Sequence, residues 1–180
     1  MVRPTMIQLI MAVRDLIQDP PAADMAFSDQ MIQDVLDQHK RRYRYLPLVP
    51  LETILPGGIL QYKDFAAPYK FWEQDAVFVD GIYNTITPIG QDWRNGTWTF
   101  ASEPTRPVRI IGSTYDIYGA AGEILDQWSA KEKECVDFSK EADRFVLSQK
   151  FMQIRELAKH YWGLSWPSMS RMVRSDVEGV

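Results

Sequence analysis

The stretch Tyr115-Asp116-Ile117-Tyr118-Gly119-Ala120-Ala121-Gly122-Glu123-Ile124-Leu125-Asp126-Gln127-Trp128 decides how the chain is read. Asp116 is placed to cap a helix, because its carboxylate can accept from the free N–H groups of a first turn. Ile117, Ala120, Ala121, Ile124, Leu125 and Trp128 follow at the spacing of one helical face. The predicted helix runs to about Glu134, and the small Ala120-Ala121-Gly122 step permits a neighbouring helix to come close.

Working outward, three more helices are predicted. Thr5 is read as the cap of a first helix with Met6, Leu9, Ile10, Val13, Leu16 and Ile17 on one face, ended by Asp19-Pro20-Pro21. Ser28 is the N-cap candidate of a second, which carries Met31, Ile32, Val35 and Leu36 inward and closes on Lys40, Arg41 and Arg42, where positive charge suits the helix dipole. A last helix spans about 145–161, with Phe151, Ile154, Leu157, Ala158 and Tyr161 on its inner side. Beyond it, Gly163 and Pro167 predict an extended tail over 163–180.

Between the second and third helices the character changes. Prolines, glycines and aromatics punctuate short β-type runs at 58–62, 76–79 and 108–111. Asn95-Gly96 predicts a hairpin turn joining a strand near 86–89 to one at 97–100, which brings Trp93 close to Trp98. The expected fold class is therefore α+β but mainly α: about four helices with an inserted β-rich subregion and an extended C-terminal tail. One domain is expected over 1–180, with a helical core at about 5–45 and 113–162, the insertion at about 46–112 and the tail at about 163–180.

Composition narrows the function. A hydrophobic share of 46% and charges of both signs describe a chain that buries a core. The single cysteine, Cys135, and the lack of a secretory signal before the first helix predict a reducing, cytoplasmic setting. The apolar run at 6–13 is broken by Gln8 and followed by Arg14 and Asp15, so no membrane span is expected. A net charge of −4 argues against broad affinity for nucleic acid.

No catalytic, cofactor or metal site is expected. His39, His160 and Cys135 stand alone in their segments, which is poor ligand spacing. Gly57-Gly58 lacks the Gly-Lys-Ser/Thr ending of a phosphate loop and reads as a turn. No Gly-x-Ser-x-Gly elbow is present, and Asp75 with Asp80 is a spacing that chance supplies among 24 acidic residues. The chain instead offers recognition groups. Lys40-Arg41-Arg42-Tyr43-Arg44-Tyr45 interleaves bases and aromatics, and Arg171-Met172-Val173-Arg174 alternates apolar and basic residues as a partner-binding strap does. Candidate interface residues are Tyr43, Arg44, Trp93, Trp98, Trp166, Arg171, Met172 and Arg174.

Residues 115–128, with Asp137-Phe138-Ser139 and Ser148-Gln149-Lys150, resemble the head-to-tail connector, or adaptor, proteins of tailed bacteriophages. Residues 13–19, Phe27-Ser28-Asp29 and 32–39 are similar to that family's first two helices. The resemblance covers about two thirds of the chain and leaves out most of 46–110. It implies an antiparallel helical bundle whose copies form a homo-oligomeric ring, commonly of twelve. The ring sits between the portal and a tail or neck protein at the head–tail junction of the virion, assembles in the host cytoplasm, and lets packaged double-stranded DNA pass without sequence-specific binding. The alternative is an accessory nucleic-acid-binding protein using Lys40, Arg41, Arg42 and Arg44; a small hydrolase is a weaker rival.

Overall fold

A computed structural model describes the backbone of residues 1–19, 26–138 and 141–166, and the side chains of these residues outside 132–148. The described chain contains four α-helices: α1 (Ile7–Ile17), α2 (Asp29–Gln38), α3 (Ile117–Phe138) and α4 (Glu141–Leu164). Between α2 and α3 it also forms eight strands: β1 (Lys40–Pro47), β2 (Val49–Leu55), β3 (Ile59–Ala66), β4 (Val77–Val79), β5 (Thr85–Ile86), β6 (Gly90–Asp92), β7 (Thr97–Thr99) and β8 (Arg109–Tyr115).

The expectation of a mainly helical bundle is overturned. The strands make two four-stranded antiparallel sheets, ordered β1-β8-β4-β5 and β2-β3-β7-β6. These sheets enclose a core of their own. Phe78 and Ile110 from the first meet Phe65 and Trp98 from the second, with Trp72, Trp93 and Phe100 filling the space between. The fold is β-rich because an aromatic-dense segment can bury its rings on itself; it needs no helical bundle to cover them. The strands run from Lys40 to Tyr115 and extend beyond both limits of the predicted 46–112 insertion.

The helices follow from local sequence. Ser28 caps α2, its hydroxyl accepting from the Met31 N–H at 3.2 Å. Asp116 Oδ1 accepts from the Gly119 N–H at 3.0 Å at the head of α3. Thr5 does not cap: α1 is entered through the 3₁₀ turn Pro4–Met6, and the Thr5 hydroxyl donates to Glu73 at 2.8 Å. Met6, Leu9, Val13, Ile32 and Leu36 pack against Ile117, Ala121 and Ile124, and α4 adds Ile154 and Ala158. α3 and α4 form an antiparallel hairpin in which Gly122 matters, since a Cβ there would lie 3.1–3.2 Å from the Trp162 indole. Lys40, Arg41 and Arg42 do not end α2; they open β1.

The β1–β8 ladder joins the two cores. It pairs Lys40 with Tyr115 at the helical end and Pro47 with Arg109 at the far end. Arg14 braces the helical core from within: its side chain is fully buried and donates to Asp29 at 2.7 and 3.0 Å, to the Asp19 carboxylate at 3.1 Å and to the Phe27 carbonyl at 2.7 Å. Among the described residues no helix is long and apolar enough to cross a membrane.

Candidate assembly surface

Among the described residues β1 is an edge strand, bonded to β8 on one side and unpaired on the other. Its register slips between Tyr43 and Leu46, where Tyr45 takes a φ of 56°. Lys40, Arg41, Arg42, Arg44 and Tyr45 are exposed. A bulged, cationic edge resists pairing with arbitrary strands, because an incoming chain must match its charge and its offset.

Arg41 and Tyr43 lie on one face of β1, and aromatic groups from distant parts of the chain gather there. Tyr43 stacks on Tyr69 with ring centroids 4.8 Å apart and 20° between planes. Tyr69 meets Trp166 edge-on at 6.5 Å, and the Arg41 guanidinium lies 4.5 Å from the Trp166 ring. Burial, with Tyr69 alongside, pushes the Tyr43 phenol up against the opposing pull of the Arg41 charge.

Asp116 holds the end of α4 to this face. Its Oδ2 accepts from the Ser165 hydroxyl at 2.7 Å and from the Trp166 N–H at 2.6 Å. Trp162 donates to Asp126 at 2.8 Å, and His39 Nε2 lies 2.9 Å from Glu123. His39, Arg41, Asp116, Trp162, Ser165 and Trp166 border a cleft of about 190 Å³ between β1 and α4. Within it Asp116, Ser165 and Trp166 bond one another, while His39, Lys40 and Trp162 are held by Glu123, Glu73 and Asp126 outside it, an arrangement that positions chain segments.

Beneath β1, Glu73 is 2% exposed and gathers Arg3 at 3.1 Å, Lys40 at 3.6 Å, the Thr5 hydroxyl and the Tyr115 hydroxyl; Arg3 in turn meets Asp37 at 2.6 Å. Burial alone would raise the Glu73 pKa, but the bonds from Tyr115 and Thr5 and the charges of Arg3 and Lys40 outweigh it, and the carboxyl sits below its usual value. A depressed carboxyl contributes stability that is present above its unfolded pKa and is lost as pH falls through the folded value. We therefore expect the melting temperature to fall between about pH 5 and pH 3, and Glu73→Gln to flatten part of that fall, as followed by circular dichroism.

No family model matches the chain, and neither a curated protein nor a solved structure matches it.

Of the residues picked out from sequence, Tyr43 and Trp166 come together here, with the exposed Arg44 on the same strand. Trp93 and Trp98 do meet, at 5.9 Å, but inside the sandwich, where they are 8% and 1% exposed. They offer almost no surface to a partner. Their hairpin has a four-residue loop, with Gly96 at a φ of 71° and β6 at 90–92 opposite β7. Arg171, Met172 and Arg174, with most of the predicted 163–180 tail, lie outside the described residues; Gly163 and Leu164 belong to α4. The Cys135 side chain also lies outside them. Asp80 is buried and accepts from the Ile82 and Asn84 N–H groups of its own turn, while Asp75 is exposed. Sequence reasoning missed Tyr69 and Asp116 as parts of this face; Tyr69 sits in an irregular stretch with no periodicity to betray which way it points.

Proposed function

We propose that the chain is a structural virion protein of a tailed bacteriophage, a head-to-tail connector whose copies form a ring, of twelve subunits by family habit. The ring lies between the portal and a tail or neck protein and completes the head once DNA is packaged. The observation that carries this reading is the face at which residues 167–180 begin. Ser165 and Trp166 are fastened to Asp116, Arg41 and Tyr69 beside the open edge of β1. A segment launched from such an anchor is suited to dock on a partner, and an open edge to receive one. The connector-like stretch 115–128 is consistent with the same reading, since its Tyr115, Ile117, Ala120, Ala121, Ile124 and Leu125 are all buried in the helical core. A net charge of −4 suits a ring through which DNA slides without being gripped.

The test is retention of the portal protein encoded beside this chain. The full chain is expected to retain it, and a chain ending at residue 166 to lose roughly tenfold or more in affinity, as removal of an anchor segment does. A full chain that never retains the portal would contradict the proposal.

The exposure of Arg42 and Arg44 on β1 favours a second reading, accessory binding of nucleic acid. It requires duplex affinity that falls steeply with added salt and is lost in an Arg42→Glu, Arg44→Glu variant. The connector reading expects no shift of duplex DNA in a low-salt gel.

A further inference from the structure

The hairpin of β2 and β3 outruns the sheet to which it belongs. β7 pairs with β3 only at 64–66, so among the described residues no third strand lies beside 51–55 and 59–62. Ile54 stands opposite Leu60, and Leu55 opposite Ile59. Opposed residues share a face and successive residues alternate, so both faces of the tip are apolar. Ile54, Ile59 and Leu60 are 72%, 62% and 50% exposed. A two-stranded ribbon gains little stability alone in water. Laying it on a flat surface covers one face; inserting it into a groove covers both.

A matching groove lies elsewhere on the same chain. α1 buries Leu9, Ile10, Val13 and Ile17 but turns Ile7 and Met11, one helical turn apart, outward. With Phe71 and Trp93 they line a cavity of about 270 Å³ whose border carries Arg94 and Asp15. The hairpin tip is uncharged from 53 to 62, and the charges directly behind it are Glu52 on β2, which accepts from Tyr62 at 3.1 Å, and Lys63 on β3. An apolar plug backed by one acidic and one basic residue thus has, on the same molecule, an apolar socket bordered by one basic and one acidic residue.

We infer that the hairpin tip of one copy inserts into the α1 groove of a second copy of this chain, Ile54, Ile59 and Leu60 entering among Ile7, Met11 and Phe71, with Glu52 meeting Arg94 and Lys63 meeting Asp15. Plug and socket are different patches, so the contact is head-to-tail and repeats from copy to copy until a ring closes. The inference rests on the ring reading above and names the contact that builds it.

Cross-linking tests it. In a Cys135→Ser background, Ile54→Cys and Met11→Cys chains are treated with a short bismaleimide, alone, mixed, and as a double variant, with mass photometry in parallel. The mixture is expected to give a covalent pair that neither single variant gives, the double variant a ladder, and Ile54→Asp to weaken self-association roughly tenfold or more. Both cysteines replace exposed side chains, which leaves the core intact. Oligomers that form without plug-to-socket cross-links would overturn the inference and leave the ring reading standing. A chain that stays monomeric alone and with the portal would overturn both.

Discussion

Replacing Trp98 by alanine is expected to destabilise the protein by about 3–5 kcal/mol, the cost of deleting a large aromatic from a packed core. Trp98 is 1% exposed and stands where the sandwich aromatics converge: Phe78 at 5.1 Å, Trp93 at 5.9 Å and Trp72 at 6.0 Å. Guanidinium unfolding read by circular dichroism should show a lower midpoint with little change in slope. Trp98→Phe should recover most of the loss. The Trp98 Nε1 is buried without a hydrogen-bond partner among the described residues, so the ring is needed and the indole N–H is not. A phenylalanine variant as unstable as the alanine one would mean that this packing is wrongly described.

Arg14→Met is expected to cost about 3–5 kcal/mol, because it strands a buried charge. The charge is that of Asp19, whose side chain is 8% exposed, whereas Asp29, at 53%, can turn to water. Asp19 also accepts from the Ala26 and Phe27 N–H groups at 3.0 and 3.1 Å, so the same arginine fixes the chain on both sides of residues 20–25. Arg14→Lys should lose a large part of the same stability, since an ammonium cannot reach two carboxylates and two carbonyls as a planar fork does. Unfolding midpoints of the two variants decide it; a lysine variant as stable as the parent would show that charge alone suffices.

The helical half of the fold was legible because its signals are local. Ser28 before Met31, Ile32, Val35 and Leu36, and Asp116 before its apolar stripe, each combine a cap with a single buried face, and the described caps sit where those residues predict. β1 was illegible for the opposite reason. Lys40 to Arg44 lies on an edge strand exposed on most sides, so no alternation of apolar and polar residues marks it, and its charges read as the end of a helix. Pro50 hid β2 in the same way, since proline is tolerated in a strand only where the edge is free. Of the rings Phe65, Phe78, Trp93, Trp98 and Phe100, the sequence marks only Trp93 and Trp98, and as interface residues, because no helical periodicity signals where the others point. They are instead a second core.

The candidate site was legible in part. Tyr43 and Trp166 share a face with Arg41, yet what unites them is the Asp116 carboxylate and the ring of Tyr69, contacts between segments about 50 and 100 residues apart that no local pattern encodes. Chain reversals of that length are set by the sheet register, and register was the least readable feature of the insertion.

The most direct test of the central claim is to locate the chain in the particle. Under the connector proposal, antibody–gold labelling of intact particles from the source culture, viewed by electron microscopy, is expected to place label at a head–tail junction. Virions that carry no label there, with junctions shown to be accessible to antibody, would contradict the connector assignment.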